Sequence, residues 1–531
     1  MRRLAAAIEV FALFLLAGAA LGVIDGLRAV PSPGEPWIER LRPTLLLDVG
    51  GMALPGLGAA VAAALLARKR PSMVRVSLAS LLVLGLASAA VAPVVRSFDV
   101  AYAEALDAWR QEQPLPVLRL AEDDPGPGPV VWITVDTLRA DAVARMPRLR
   151  AHAREALRYT QARSAAPWTL PAMAAMHTGA PQRVHRAGLR LDPERTHVRT
   201  GVDPAVPMLA ELLQDAGYVT AGVLTNPYLG TRFGMTRGLD RAFDLTRQAV
   251  VARGLRRASL LRPFVPARAD HAQAVTDRAL EAHGRLQDGR YFLWVHYIDP
   301  HAPYAADPEA RRMEDPCALP DCFGDWGAVR RSGLVLDEAD RARITALYDA
   351  EIAFLDAHLD RLLTAVRQDG TLVILAADHG EEFWEHGGVE HGAGFYDEVV
   401  RVPLMVWGAG TGTVERSVST QSLFEATLSW VERGTLGPLA PEGEAAQVGM
   451  SSVLFGEDGA ACTDGVVKLI RQGGLKGYDL VADPGETHDL YGTAPERFGG
   501  VAGCVPEVVE ATEAEAPVVD WGVLRALGYV E

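Results

Sequence analysis

The chain has 531 residues, 67 acidic against 52 basic, and a formal net charge of −15. It is long enough to bury a large core, and its net acidity argues against a nucleic-acid partner, since phosphate backbones are held by clustered Lys and Arg.

The first hundred residues stand apart. Residues 4–24, 44–67 and 76–95 are each apolar and of bilayer-crossing length. A single such segment behind Arg2 and Arg3 would read as a secretory leader, but two more behind it predict a three-helix membrane anchor over residues 1–98. Glu9 and Asp48 fall inside the spans, as contacts between helices or near an interface. Arg2 and Arg3, together with Arg68, Lys69, Arg70 and Arg75, place the N-terminus in the cytoplasm, although Arg28, Arg40 and Arg42 lie in the opposite loop. Everything after Phe98 is then expected on the extracytoplasmic, periplasmic side. The four cysteines suit that address as disulfides: Cys317 and Cys322 flank ALPD, and Cys462 and Cys504 remain as a second pair among three pairings the sequence allows.

Residues 99–128 read as a helix followed by the acidic, turn-rich linker AEDDPGPGP. Beyond it, VVWITVD (130–136), VTAGVLTN (219–226), YFLWVHYIDPH (291–301) and TLVILAADHG (371–380) are continuous apolar runs. Such runs suit strands buried on both faces. Helical stretches such as VPMLAELLQDAGY and ITALYDAEIAFLDAHLDRLLTAV alternate with them, which predicts an α/β fold with a mostly parallel sheet flanked by helices. A catalytic domain is expected over 129–410 and a smaller C-terminal α+β subdomain over 411–531, covering one sheet edge.

Each apolar run ends in residues able to bind or react: Asp136, Asn226, Asp299 with His301, and Asp378 with His379. The carboxyl edge of an open α/β sheet is where ligands sit, so four endings of this kind form a constellation. Asp136, Asp378 and His379 are the ligand types that hold Zn²⁺ or Mn²⁺. A fourth donor is available in APWTLPAMAAMHTG (166–179), where Thr169 opens a helical stretch. A threonine there is ordinarily a helix cap, but metal coordination also turns a weak hydroxyl nucleophile into an active one, and a helix N-terminus favours the resulting charge. The candidate metal set is Asp136, Thr169, Asp378 and His379, with zinc or manganese favoured and calcium as an alternative.

These residues and their surroundings resemble the sulfatase branch of the alkaline phosphatase superfamily. The resemblance runs through VVWITVDTLRAD, APWTLPAMAAMHTG, VPMLAELLQDAGYVTAGVLTNPYL, YFLWVHYIDPHAPY, LYDAEIAFLDAHLDRLL, LVILAADHGEEFWEHGG and HGAGFYDEVVRVPLMV, and on to the tail YDLVADPGETHDLY. The departures carry as much meaning. Sulfatases convert a Cys, sometimes a Ser, to formylglycine within Cys-x-Pro-Ser-Arg. Here Thr169 takes the Cys place and Met173 the Arg place. The paired aspartates of the first strand become Asp136-Thr137, the Asp-Asn pair becomes Asp378-His379, and Asn226 lies where a lysine is usual.

That pattern resembles phosphoryl-transferring relatives: nucleotide pyrophosphatases and phosphodiesterases, lipoteichoic acid synthases and phosphoethanolamine transferases. The resemblance implies a threonine nucleophile and a phospho-enzyme. It also implies that His301 and His391, with Asn226, hold the substrate anion, the two histidines serving catalysis as well. His386 and His296 are supporting candidates, and Arg139 is expected to pair with an acidic substrate or with Asp141. The substrate expected is an anionic ester, on a lipid or envelope glycan, with phosphate or phosphonate ahead of sulfate. A sulfatase and a catalytically silent metal-binding envelope protein are the competing expectations. The arginine-rich stretch RGLRRASLLRPFVPAR would face anionic substrate or headgroups, or simply solvent.

Overall fold

The computed structural model describes residues 127–191, 197–245, 271–286, 289–302, 304, 337–439, 448–452 and 459–505. The three expected spans, the segment 99–126, Cys317 with Cys322, and the arginine-rich stretch lie outside the described residues. Among the described residues no helix is long and apolar enough to cross a membrane.

Eight strands form the main sheet: β1 (Val130–Val135), β2 (Leu157–Arg163), β3 (Val219–Leu224), β4 (Arg241–Asp244), β5 (Tyr291–Tyr297), β6 (Leu372–Ala377), β7 (Leu404–Trp407) and β8 (Gly412–Ser419). Their order is β8-β2-β7-β6-β1-β5-β3-β4. All pairs are parallel except those of β7, which runs antiparallel to both β2 and β6. Every residue of β1, β3, β5 and β6 is buried, the structural counterpart of their unbroken apolar runs.

Strand alternation assigns the two faces. Trp132 and Trp294 are register partners on β1 and β5. They meet α1 (Thr169–Thr178), whose His177 ring lies 5.0 and 4.1 Å from theirs. Beside α1 and α2 (Leu209–Asp215) runs α5 (Leu423–Arg433), whose Thr427 hydroxyl accepts from Trp132 Nε1 at 3.3 Å. Tyr291 and Tyr297, at the other parity of β5, turn to α3 (Ala272–Leu286), where their hydroxyls meet His283 Nδ1 at 2.8 Å and the Thr276 hydroxyl at 2.7 Å. The long helix α4 (Glu338–Val366) packs on α3 and is capped by Asp337, which accepts from the Asp340 amide at 2.9 Å.

The sheet does not end at the boundary expected near residue 410. β8 pairs with β2 as the outer edge strand, and α5 packs on α1, so the main layers run on through Arg433. After them comes an antiparallel meander, β9 (Val448–Ser452), β10 (Gly459–Thr463), β11 (Val467–Arg471) and β12 (Leu475–Asp479), with β9 against β8. A Cys462–Cys504 disulfide ties β10 to the segment that follows. Buried Lys468 of β11 joins Asp397 at 2.6 Å and Glu486 at 2.8 Å, while Arg163 of β2 pairs with the same Asp397 at 2.8 Å. This network fastens the meander to the main sheet.

Candidate metal centre

Because β1, β2, β3, β5 and β6 all run in one direction, the residues that follow them gather at one sheet edge. Asp136 follows β1, Asn226 follows β3, His301 follows β5, and Asp378 with His379 follows β6. α1 begins at the same edge, after β2. Its N-cap is Trp168, so Thr169 is the first residue inside the helix and its hydroxyl is not a cap. At the far end Gly179 adopts φ 64°, and its amide closes the helix on Ala175 at 2.9 Å. A Cβ there would strike Phe424, which fixes how α1 seats on α5.

Thr169 Oγ1 lies 3.3 Å from His379 Nε2 and 3.4 Å from Asn226 Nδ2. Asn226 Nδ2 also donates to Asp136 Oδ2 at 2.6 Å, and its Oδ1 accepts from the Tyr228 amide, which fixes which end of the amide faces the centre. His379 Nδ1 donates to the Gly380 carbonyl at 2.9 Å, so the Nε2 lone pair faces inward. It sits 3.6 Å from Asp136 Oδ1 and 3.3 Å from Asp378 Oδ2.

These donors fit a divalent cation. Asp136, Asp378 and His379 are fully buried and offer ligand atoms all within 4.8 Å of one another. Among the described residues nothing donates to Asp136 Oδ1 or Asp378 Oδ2, which a buried carboxylate oxygen tolerates when a cation completes it. Two carboxylates, a bare imidazole nitrogen and a hydroxyl are a donor set suited to a divalent cation. The electrostatics agree with the geometry. Burial and the charge of Asp136 push the Asp378 carboxyl well above its ordinary range. Burial also acts on Asp136, but the nearby His301, His296 and His379 outweigh it and hold that carboxyl low. Burial and His391 lower His379 to about 3, so the ring stays neutral.

His391 and His301 complete the rim. The His391 ring lies 4.2 Å from that of His379 and 5.2 Å from that of His301. Glu381, which the sequence reading passed over, accepts from His391 Nδ1 at 2.9 Å and from the Tyr304 hydroxyl at 3.4 Å. Burial raises its carboxyl to about 7. The only sequence signal was its place two residues after His379, inside an acidic pair that reads as solvent-facing.

Two expected supporting residues part company. His296 approaches Asp136 Oδ2 at 3.4 Å. His386 turns away: Nδ1 lies 2.6 Å from Glu398, Nε2 3.1 Å from the Glu486 carbonyl, and the ring stacks on Tyr396 at 3.5 Å. Glu382, His386 and Glu398 also cluster, but both His386 nitrogens face acceptors, so the ring is an imidazolium and no ligand. Arg139 pairs with Asp141 at 2.9 Å and Glu385 at 2.6 Å, the salt-bridge alternative of the two expected.

Residues 129–432 match the family described as Sulfatase. Over 191 residues the chain is 27% identical to the multifunctional alkaline phosphatase superfamily protein PehA of Trinickia caryophylli. That match covers 29% of this chain and 37% of the relative, little more than a third of its length. Among solved structures, the phosphonate monoester hydrolase of Agrobacterium radiobacter superposes with a TM-score of 0.54 at 20% identity, covering 70% of this chain and 92% of that one. BT4656, solved with its substrate D-glucosamine-2-N,6-O-disulfate, gives a TM-score of 0.55 at 14% identity, over 71% of this chain and 96% of that one. At these identities the structural likeness is one of fold.

Proposed function

The chain belongs to the sulfatase family, a group of hydrolases within the alkaline phosphatase superfamily, and we propose that it cleaves or transfers a phosphate or phosphonate ester through unmodified Thr169. One observation carries this reading: the Thr169 hydroxyl, at the first turn of α1, lies 3.3 Å from His379 Nε2 in the centre that Asp136 and Asp378 complete. A threonine cannot be converted to formylglycine, so the usual sulfatase nucleophile is absent.

Asp136, Asp378, His379 and Thr169 would hold the ion. A divalent cation there supplies the positive charge that favours an ionised Thr169 oxygen and draws electron density from the ester. The chain's residues do the rest. Asn226 Nδ2 bonds both Thr169 Oγ1 and Asp136 Oδ2, aiming the nucleophile. Thr169 Oγ1, its proton released to solvent, bonds to phosphorus as the ester P–O bond breaks. His391, oriented by Glu381, gives its proton to the departing oxygen, with His301 across the rim as the second candidate for that role or for holding equatorial charge. Water or an acceptor alcohol then takes the group from Thr169.

The same reading places the catalytic part outside the cytoplasm, hung from the N-terminal apolar segments and acting on a lipid or envelope glycan. The Cys462–Cys504 bridge supports an oxidising compartment. The test is a panel of aryl phosphate, phosphodiester, phosphonate and sulfate esters assayed with zinc, manganese or calcium, on the parent and Thr169→Ala. Turnover of phosphorus esters by the parent alone is expected. Turnover confined to sulfate esters would make it a sulfatase, and metal binding without turnover of any ester would make it a silent binder.

A further inference from the structure

Behind Asp136 lies a chain of buried polar groups that no step above uses. Trp294 Nε1, which can only donate, reaches Thr134 Oγ1 at 2.9 Å. The single Thr134 proton then has two acceptors in reach, His296 Nδ1 at 2.9 Å and the Val295 carbonyl at 3.4 Å. The shorter contact takes it. An imidazole that accepts at Nδ1 carries its proton on Nε2, and that nitrogen lies 3.4 Å from Asp136 Oδ2, near enough for electrostatic attraction although no directed hydrogen bond is formed. The Thr225 hydroxyl, bonded to the His296 carbonyl at 2.7 Å, anchors the ring's backbone.

We infer that His296 is a positioning residue: the Trp294–Thr134 relay fixes its tautomer, and the Nε2 proton this places beside Asp136 Oδ2 adds to the Asn226 hydrogen bond in drawing that oxygen toward the protein, leaving Oδ1 for the cation. The arrangement has one working orientation. With the opposite tautomer, the Nε2 lone pair would meet a carboxylate oxygen, and the carboxylate would rotate away from His379. Partners of this kind behind a metal ligand typically control affinity by about 10–100-fold. The inference rests on the metal reading of Asp136, Asp378 and His379, and adds the group that sets how the first of them is presented.

The test uses the full chain stripped of metal and titrated with Mn²⁺ alone, followed by calorimetry and by the electron paramagnetic resonance signal of free Mn²⁺. Thr134→Val keeps the shape at 134 but removes the relay. His296→Leu removes the ring, and His296→Gln restores an N–H donor near the Nε2 position. Mn²⁺ affinity should fall about 10–100-fold in Thr134→Val and His296→Leu, and stay within about 3-fold of the parent in His296→Gln. Melting of the metal-free proteins identifies folded variants, and Thr134→Val carries the test if His296→Leu does not fold. Folded Thr134→Val with parental affinity overturns the inference, as does His296→Gln binding as poorly as His296→Leu, which would make the ring a packing element. A parent that binds no Mn²⁺ overturns the metal reading and the relay with it, an outcome distinct from parental binding without variant loss.

Discussion

His391 Nδ1 donates to a buried carboxylate oxygen of Glu381 at 2.9 Å, ten residues back along the same loop. This carboxylate holds the ring in one tautomer and steadies its charge when it carries a proton. Glu381→Gln keeps an acceptor but removes the charge. For an alkyl ester, whose leaving oxygen needs a proton, kcat/KM should fall about 100-fold. For an aryl ester with a good leaving group the loss should stay below about 10-fold. Rates plotted against leaving-group pKa would reveal the difference as a steeper slope; equal losses would place Glu381 outside proton delivery.

Asn226 bonds the nucleophile and a metal-set carboxylate with one amide nitrogen. In Asn226→Ala, kcat should drop by about 10²–10³, the usual cost of losing one preorganised donor. KM should change much less. Steady-state kinetics on the best aryl substrate checks this, and a variant with kcat within threefold of the parent would remove Asn226 from the chemistry.

His386 lies between the Glu398 carboxylate and the Glu486 carbonyl, with Tyr396 stacked on it and Glu382 accepting from its own amide. Burial alone would lower its pKa, but the hydrogen bond and charge of Glu398 outweigh that and raise it above 6.5. A raised folded-state pKa means a stabilisation fully present below the unfolded value, near 6.5, and lost as pH rises through the folded one. Melting temperature from pH 6 to 9 should therefore fall more steeply in the parent than in His386→Phe. Parallel profiles would contradict the imidazolium assignment.

Lys468 neutralises two carboxylates in a buried setting. Replacing it with Met removes the cation that both Asp397 and Glu486 share, although Asp397 keeps its pair with Arg163. Breaking a buried pair from one side costs about 3–5 kcal/mol. Chemical denaturation should show that loss in Lys468→Met, with part of it recovered by adding Glu486→Gln. A loss below about 1 kcal/mol would mean that the network is solvated like a surface pair.

The strand ends were readable because strands covered on both faces are unbroken apolar runs, and whatever terminates them stands out. That logic reached Asp136, Asn226, His301, Asp378 and His379, which the structure gathers at one edge. It could not see the relay: in a strand apolar on both sides, nothing shows that Thr134 and Trp294 share a face with His296 across the sheet. His391 was set apart from His386 by the family resemblance and not by strand-end logic. They are five residues apart in one Gly-rich loop, and the turn at Gly387, with φ 85°, lies between them. β8 was missed for the opposite reason. Six of its eight residues are exposed or only half-buried, so GTVERSVS reads as a loop although it is the edge strand. Thr169 showed how position overrides type: Trp168 takes the capping place, and the hydroxyl one residue on is free for the centre.

The most direct measurement is of Thr169 itself. The parent, mixed with an aryl phosphate ester and stopped in acid within its first turnovers, would be digested and analysed by mass spectrometry. A phosphoryl group on the peptide containing Thr169, absent from Thr169→Ala, is the expected result. Undiminished turnover by Thr169→Ala, or a phosphoryl group carried by another residue, would contradict a threonine nucleophile.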